Sequence, residues 1–186
     1  MTLITTNTSS NAASSSFTSS IDSTYKLYIF KFIDVNPATD AAEFSFQVNA
    51  TDGADYNDSA ITSTTFYSSH NEDDSGASLQ YTATHDQAQG TAFQPISWDV
   101  GNGGDESCAG TMWLFNPSNT TYVKHFYARV TNYEGGNHVY DAFTAGYIND
   151  TTAIDDIQFK MSSGNMDAVI KTVSYTHLTL PTNREV

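Results

Sequence analysis

Cysteine is nearly absent from this 186-residue chain. Cys108 stands alone, which excludes a disulfide framework and any zinc site built on thiolates. Positive charge is scarce too: seven Lys and Arg stand against 21 Asp and Glu, giving a net charge of −14 and a pI near 4.3. So few cations cannot neutralise a phosphate backbone, and nucleic acid is excluded as a partner on that ground. The same deficit argues against an anionic membrane surface. The charge reads as a soluble, self-repelling surface. No apolar run is long enough to cross a bilayer as a helix. The opening MTLITTNTSSNAASSSF has no basic or apolar segment of signal-peptide type, so Sec-type export is not expected. Runs of Ala, Leu, Glu and Lys at helical spacing are missing as well.

What is present favours strands and turns. Eleven Tyr and eleven Phe sit in a background of Thr, Ser, Asn and Gly. The first twenty residues, anchored by Leu3, Ile4, Phe17 and Ile21, read as an edge strand and a polar connection. TYKLYIFKFIDV carries apolar residues on both faces, the pattern of a central strand. In EFSFQVNA, Phe44, Phe46 and Val48 alternate with Glu43, Ser45, Gln47 and Asn49, the period of a half-buried strand. AITSTTFY, SLQYTA, PISWDV, AGTMWLF, YVKHFYARV, YDAFTAGYI, DIQFKM and DAVIK follow the same logic. THDQAQGTAFQ is the one segment with room for a helical turn, and Gly90 limits it. About ten strands separated by turn-rich loops predict a single-domain, all-β, antiparallel sandwich or barrel.

Catalytic and metal signatures are weak. TDGADYNDS and HNEDDSG cluster carboxylates without the spacing of an EF-hand loop. GNGGDE precedes a predicted strand, so it lacks the helix N-terminus that a phosphate cradle needs. His70, His85, His125 and His138 form no zinc pattern. His125 alternates with Val123 and Tyr127 and is expected in or beside the core. No Gly-x-Ser-x-Gly elbow is present. An enzyme is therefore not expected, nor is any cofactor or metal. The Asn-x-Ser/Thr triplets follow from composition. NYEGGNHVY is the candidate binding edge, because Tyr133, His138 and Tyr140 flank a flexible Gly-Gly and aromatic faces stack on sugar rings. The competing reading is that these rings cap the ends of the sheets.

The closing VSYTHLTLPTNREV, Val173–Val186, brings His, Pro and Arg into an Asn/Thr/Asp-rich chain. Written as GTC TCT TAT ACA CAT CTG ACG CTG CCG ACG, it resembles the transposon-end adapter of sequencing libraries. The junction codons at Thr172 and Asn183 fit that adapter, and so does a final GTG TAG at Val186. The expectation is thus a β-sandwich domain over 1–172, cut short in its last strand, and a non-native tail over 173–186. Asp167–Lys171 should pair as a strand, with the chain leaving for solvent shortly after Val173. Tyr175, Leu178 and Leu180 should escape deep burial, and deleting the tail should change stability by no more than about 0.5 kcal/mol.

STYKLYIFKFIDVNPATD, DQAQGTAFQ, NPSNTTYVKHF and AGYINDTTAIDDIQFKMSSGNMDA together resemble a group of uncharacterised proteins of marine tailed bacteriophages, taken for virion structural proteins. The resemblance spans nearly all of residues 1 to 171. It implies a jelly-roll-like sandwich serving as a fibre, decoration or receptor-contact module, non-enzymatic and located in the virion. Other virion proteins or further copies of itself, a trimer by analogy, would be its partners, with a host-surface glycan as a ligand. It supplies no catalytic or binding residues to carry over. The alternative is a carbohydrate-binding sandwich module of a cellular protein.

Overall fold

A computed structural model describes residues 1–53 and 55–175. The chain begins with β1 (Thr2–Ala12), β2 (Ser15–Phe17), β3 (Leu27–Pro37), β4 (Ala42–Ala50) and β5 (Ile61–Asn71). Next come β6 (Ala77–Tyr81), a 3-10 turn (Ala83–His85), β7 (Ala88–Gly90) and β8 (Gln94–Val100). β9 (Cys108–Phe115), β10 (Lys124–Glu134), β11 (His138–Ile148), β12 (Ile154–Met161) and β13 (Met166–Ser174) complete it. Every strand pair is antiparallel.

Four long-range pairings organise these strands: β1 with β13, β2 with β12, β3 with β9 and β4 with β8. They are the successive rungs of one long hairpin, and rolling that hairpin up gives the jelly roll. One layer of the roll is β1-β13-β3-β9 and the other is β8-β4-β12-β2. The remaining strands are insertions between rungs. β10, β11 and β5 widen the first layer beyond β9, and β6 and β7 share the far edge of β5. Among the described residues the ladder passes between the layers at Glu134 and Val100, beside a backbone bond from Gly101 N–H to Tyr133 O at 3.1 Å.

The core lies between the layers and is built mainly of phenylalanine. Phe159 on β12 meets Phe30 and Phe32 on β3 at 5.3 and 5.2 Å between ring centroids. Phe46 on β4 meets Phe126 on β10 at 4.9 Å. Offset and edge-on rings at these distances add attraction beyond the area they bury. Beyond β10 the small layer faces the large one through its edge strand. There Trp98 packs edge-on against Tyr67, and Ser63 donates to Gln94 Oε1 at 2.7 Å.

Several expectations change. Among the described residues the strands number thirteen, because Ser15–Phe17 and Ala88–Gly90, too short for a visible period, add β2 and β7. β4 is buried on both faces: Ser45 and Gln47 are enclosed, and Gln47 Nε2 donates to the carbonyls of Ser59, Thr91 and Ala92. Loop segments thus cover the face that alternation marks as open. His125 is exposed, whereas Lys124 and Phe126 point inward. Apolar side chains on both faces of β10 hid which parity was inside. Of THDQAQGTAFQ only Thr84 and His85 fall in a turn, the 3-10 turn Ala83–His85, and the segment continues into β7 and the start of β8.

The last strand runs past the expected boundary at 172. Val173 and Ser174 are buried within β13, and Ser174 Oγ donates to Leu27 O at 2.7 Å. β13 lies between β1 and β3, and two open ladder edges accept any extended segment. Tyr175 is half exposed, as expected, while Leu178 and Leu180 lie outside the described residues.

Candidate functional site

The hairpin between β10 and β11 pairs Tyr133 with Val139 and Asn132 with Tyr140. Successive pairs in a ladder face opposite ways. Tyr133 therefore projects on the outer face of the large sheet, and His138 and Tyr140 project on the inner one. Tyr133 and His138 nevertheless line one cleft of about 300 Å³ with His70, Glu72, Asn137 and Val139, and Tyr140 is not among its lining residues. The Tyr133 phenol bonds Asn137 Oδ1 at 2.9 Å, and partial burial followed by the Glu72 carboxylate pushes its pKa up. Tyr140 packs on Tyr67 with centroids 5.1 Å apart, and burial, then Glu134 and Asp99, raise its pKa.

His138 Nδ1 lies 3.0 Å from Glu134 Oε2, beside a cleft of about 550 Å³ lined by Asn71, Glu72, Asp73, Ser75, Gly136 and Asn137. The same carboxylate oxygen accepts the Gly136 N–H at 2.7 Å, so the pair closes the hairpin turn. Among the described residues no group of three or more His, Cys, Asp or Glu is placed to hold a metal ion. Cys108 is buried in the core, and that burial pushes its thiol pKa far up, which makes it a poor nucleophile.

The more distinctive surface is the outer face of the inserted strands. Solvent-facing positions of a half-buried sheet are ordinarily polar. Here Trp113 on β9, Tyr127 on β10, Phe143 on β11 and Phe66 on β5 all project outward. Tyr127 stands directly opposite Trp113, with rings 4.5 Å apart and 22° from parallel. Phe143 stands opposite Phe66, with rings 4.9 Å apart and nearly parallel. Tyr127 and Phe66 remain 42% and 44% exposed, far more than core rings. Between the two stacked pairs Ala145 leaves a gap, and a groove of about 250 Å³ opens over it. An uncovered patch of this kind marks an interaction surface.

Polar groups frame the rings. Arg129 projects from β10 over the Phe143 ring, 4.9 Å from its centroid. Its Nε and Nη2 donate to the two carboxylate oxygens of Asp141 at 3.0 and 2.7 Å. This bidentate bond, then the carboxylate charge, raises the arginine pKa further and locks the fork in place. Thr64, Thr111 and Thr131 line the neighbouring positions. The arrangement sets exposed aromatic surface beside donors and acceptors that are held in place.

Sequence reading missed this face. TMWLF, HFYARV and AFTAGY each contain the outward aromatic, but each also has inward apolar residues, so period alone gives no sign to the faces. No protein-family model matches the chain, and no curated protein matches it either.

Proposed function

We propose that this chain is a non-enzymatic structural component of a phage virion, a fibre, decoration or receptor-contact module that acts by assembly and surface binding. The observation that carries the proposal is the uncovered aromatic face of β9, β10, β11 and β5. The insertions between jelly-roll rungs widen one layer, and among the described residues its outer side keeps Phe66 and Tyr127 exposed. A module whose elaborated surface is flat and aromatic works by contact. The resemblance of its phrases to uncharacterised phage proteins taken for virion components supports the same reading, and jelly rolls recur in capsids and lectins, although fold alone does not set function. In the particle the chain assembles as a symmetric oligomer, a trimer by analogy, which would also cover the long edge strand β1.

Mass spectrometry of purified particles from a phage encoding the chain is the test: the protein is expected among the virion components, and its absence would overturn the proposal. A carbohydrate-binding module of a cellular protein is the second reading, favoured by the stacked rings beside the Arg129–Asp141 pair. Neighbouring genes separate the two, capsid or tail genes supporting the first and glycoside hydrolases the second. Light scattering that finds a monomer at high concentration would remove the trimer.

A further inference from the structure

The described residues contain six Lys and Arg: Lys26, Lys31, Lys124, Arg129, Lys160 and Lys171. Three of them fall in one cross-strand row on the outer face of the large sheet. Lys171 pairs with Lys31, Lys31 with Thr111 and Thr111 with Arg129. The row continues through Phe143 and Phe66 to Tyr81. With strands spaced roughly 4.8 Å apart it runs for about 29 Å, cations at one end and aromatic rings at the other. The next row on the same face is Val173, Ile29, Trp113, Tyr127 and Ala145.

Two lysines directly opposite each other repel, and such pairs destabilise a sheet. In a chain with three times as many acids as bases, one carboxylate at either position would turn that repulsion into attraction. The arrangement is costly for the fold and suits an anion laid across both strands. Half of the described positive charge of an acidic protein is thereby concentrated beside its exposed rings.

We propose that this row binds an acidic polysaccharide, a pyranose chain bearing uronic carboxylates or sulfate esters. The proposal rests on the reading of the chain as a surface-binding module and names its ligand class. Lys31 and Lys171 take the acid group. Arg129 and Asp141, locked to each other, present donors and an acceptor to ring hydroxyls. Phe143, Phe66 and Tyr127 line the path of the sugar rings, with the groove over Ala145 as a ring-sized recess. Nucleic acid fits less well: Asp141 would face a phosphate, where a pyranose presents hydroxyl donors to it. A second copy of this chain would bring its own exposed rings against these, leaving the paired lysines without an anion unless an acidic turn reached them.

The test uses the full chain in affinity electrophoresis through gels containing sodium alginate, dextran sulfate or neutral dextran, with oligo(dT) as a further arm. Retention by alginate identifies uronic carboxylates as the bound group, and retention by dextran sulfate identifies sulfate esters. Either one, weakened by salt and absent with neutral dextran, is the expected result. The Lys31→Gln/Lys171→Gln double variant should lose about tenfold or more in affinity, and Tyr127→Ala should also bind less. The double variant should melt at the same temperature as the parent or higher, because the repulsion is gone. A merely structural role for the lysines would lower it. The inference is overturned by no retention in either acidic gel, by equal retention in neutral dextran, by equal or stronger binding of oligo(dT), or by a dimer that the double variant disperses. Particle composition is a separate readout: a virion protein that no acidic glycan retains sinks this inference alone, and retention by a protein missing from particles sinks the virion reading alone.

Discussion

Replacing Phe159 by Ala should be among the most damaging single changes to this fold. The ring is fully buried and meets Phe17, Phe30, Phe32, Phe44 and Phe46 at centroid distances from 5.2 to 6.4 Å. Truncating a buried Phe to Ala costs about 3–5 kcal/mol, depending on how far the site collapses. Here the neighbours are anchored in both layers, on β2, β3 and β4, and cannot all close on the void. The upper end, about 4–5 kcal/mol, is expected, with the ring–ring attractions included because they do not add independently. Total stability of a domain is about 5–15 kcal/mol, so the variant should be close to its limit. In urea, with a slope of about 2 kcal/mol/M, the midpoint should fall by about 2 M at unchanged slope. If Phe159→Ala does not fold, Phe159→Leu should still lose about 1.5 kcal/mol. The outward ring of Phe66 is the contrast: Phe66→Ala should cost less than about 1 kcal/mol. A loss below about 2 kcal/mol for Phe159→Ala would refute the hub that these distances describe.

Lys124 is buried and its Nζ donates to the carbonyls of Asp150 and Thr152; Lys124→Met should lose about 2–3 kcal/mol in the same urea assay, because both carbonyls lose a charged donor. The Tyr28 hydroxyl donates to Asp22 O at 3.0 Å, and burial raises its pKa above 10.0. Its contribution is therefore complete below pH 10 and is lost as pH rises through the raised folded value, so alkaline melts should show a decline that Tyr28→Phe flattens. Truncation before Val173 removes a buried valine and the Ser174–Leu27 bond. It should lower stability by about 1–3 kcal/mol, more than the 0.5 kcal/mol expected of a tail with no packing, and thermal melts of the two lengths compare them directly.

Much of the fold was legible because each strand carries a local signal. EFSFQVNA and TYKLYIFKFIDV announce strands by their period, and the turn residues between them mark the joints. β2 and β7 were not legible, since three residues hold no period. The inner parity of β10 was hidden because Lys124, the one cation in that segment's inward set, looks like a surface residue, and its burial depends on carbonyls from the distant loop at Asp150 and Thr152. The split of the predicted stacking edge has a related reason: Tyr133 and Tyr140 look adjacent along the chain, but the register of the hairpin sends them to opposite faces.

By itself the sequence determined the class of structure: short alternating segments, turn chemistry, one cysteine and a strongly acidic surface together admit an antiparallel β domain and little else. Which strands pair was decided by tertiary structure, because ladder hydrogen bonds use backbone groups that every residue carries and so leave no mark on side-chain order. The rungs between β1 and β13 or β3 and β9 emerge only when both layers close over the phenylalanine core. The same closure decided which apolar face stays in water. It also brought Lys31, Arg129 and Lys171 from three separate segments into one row, a juxtaposition that no local pattern contains.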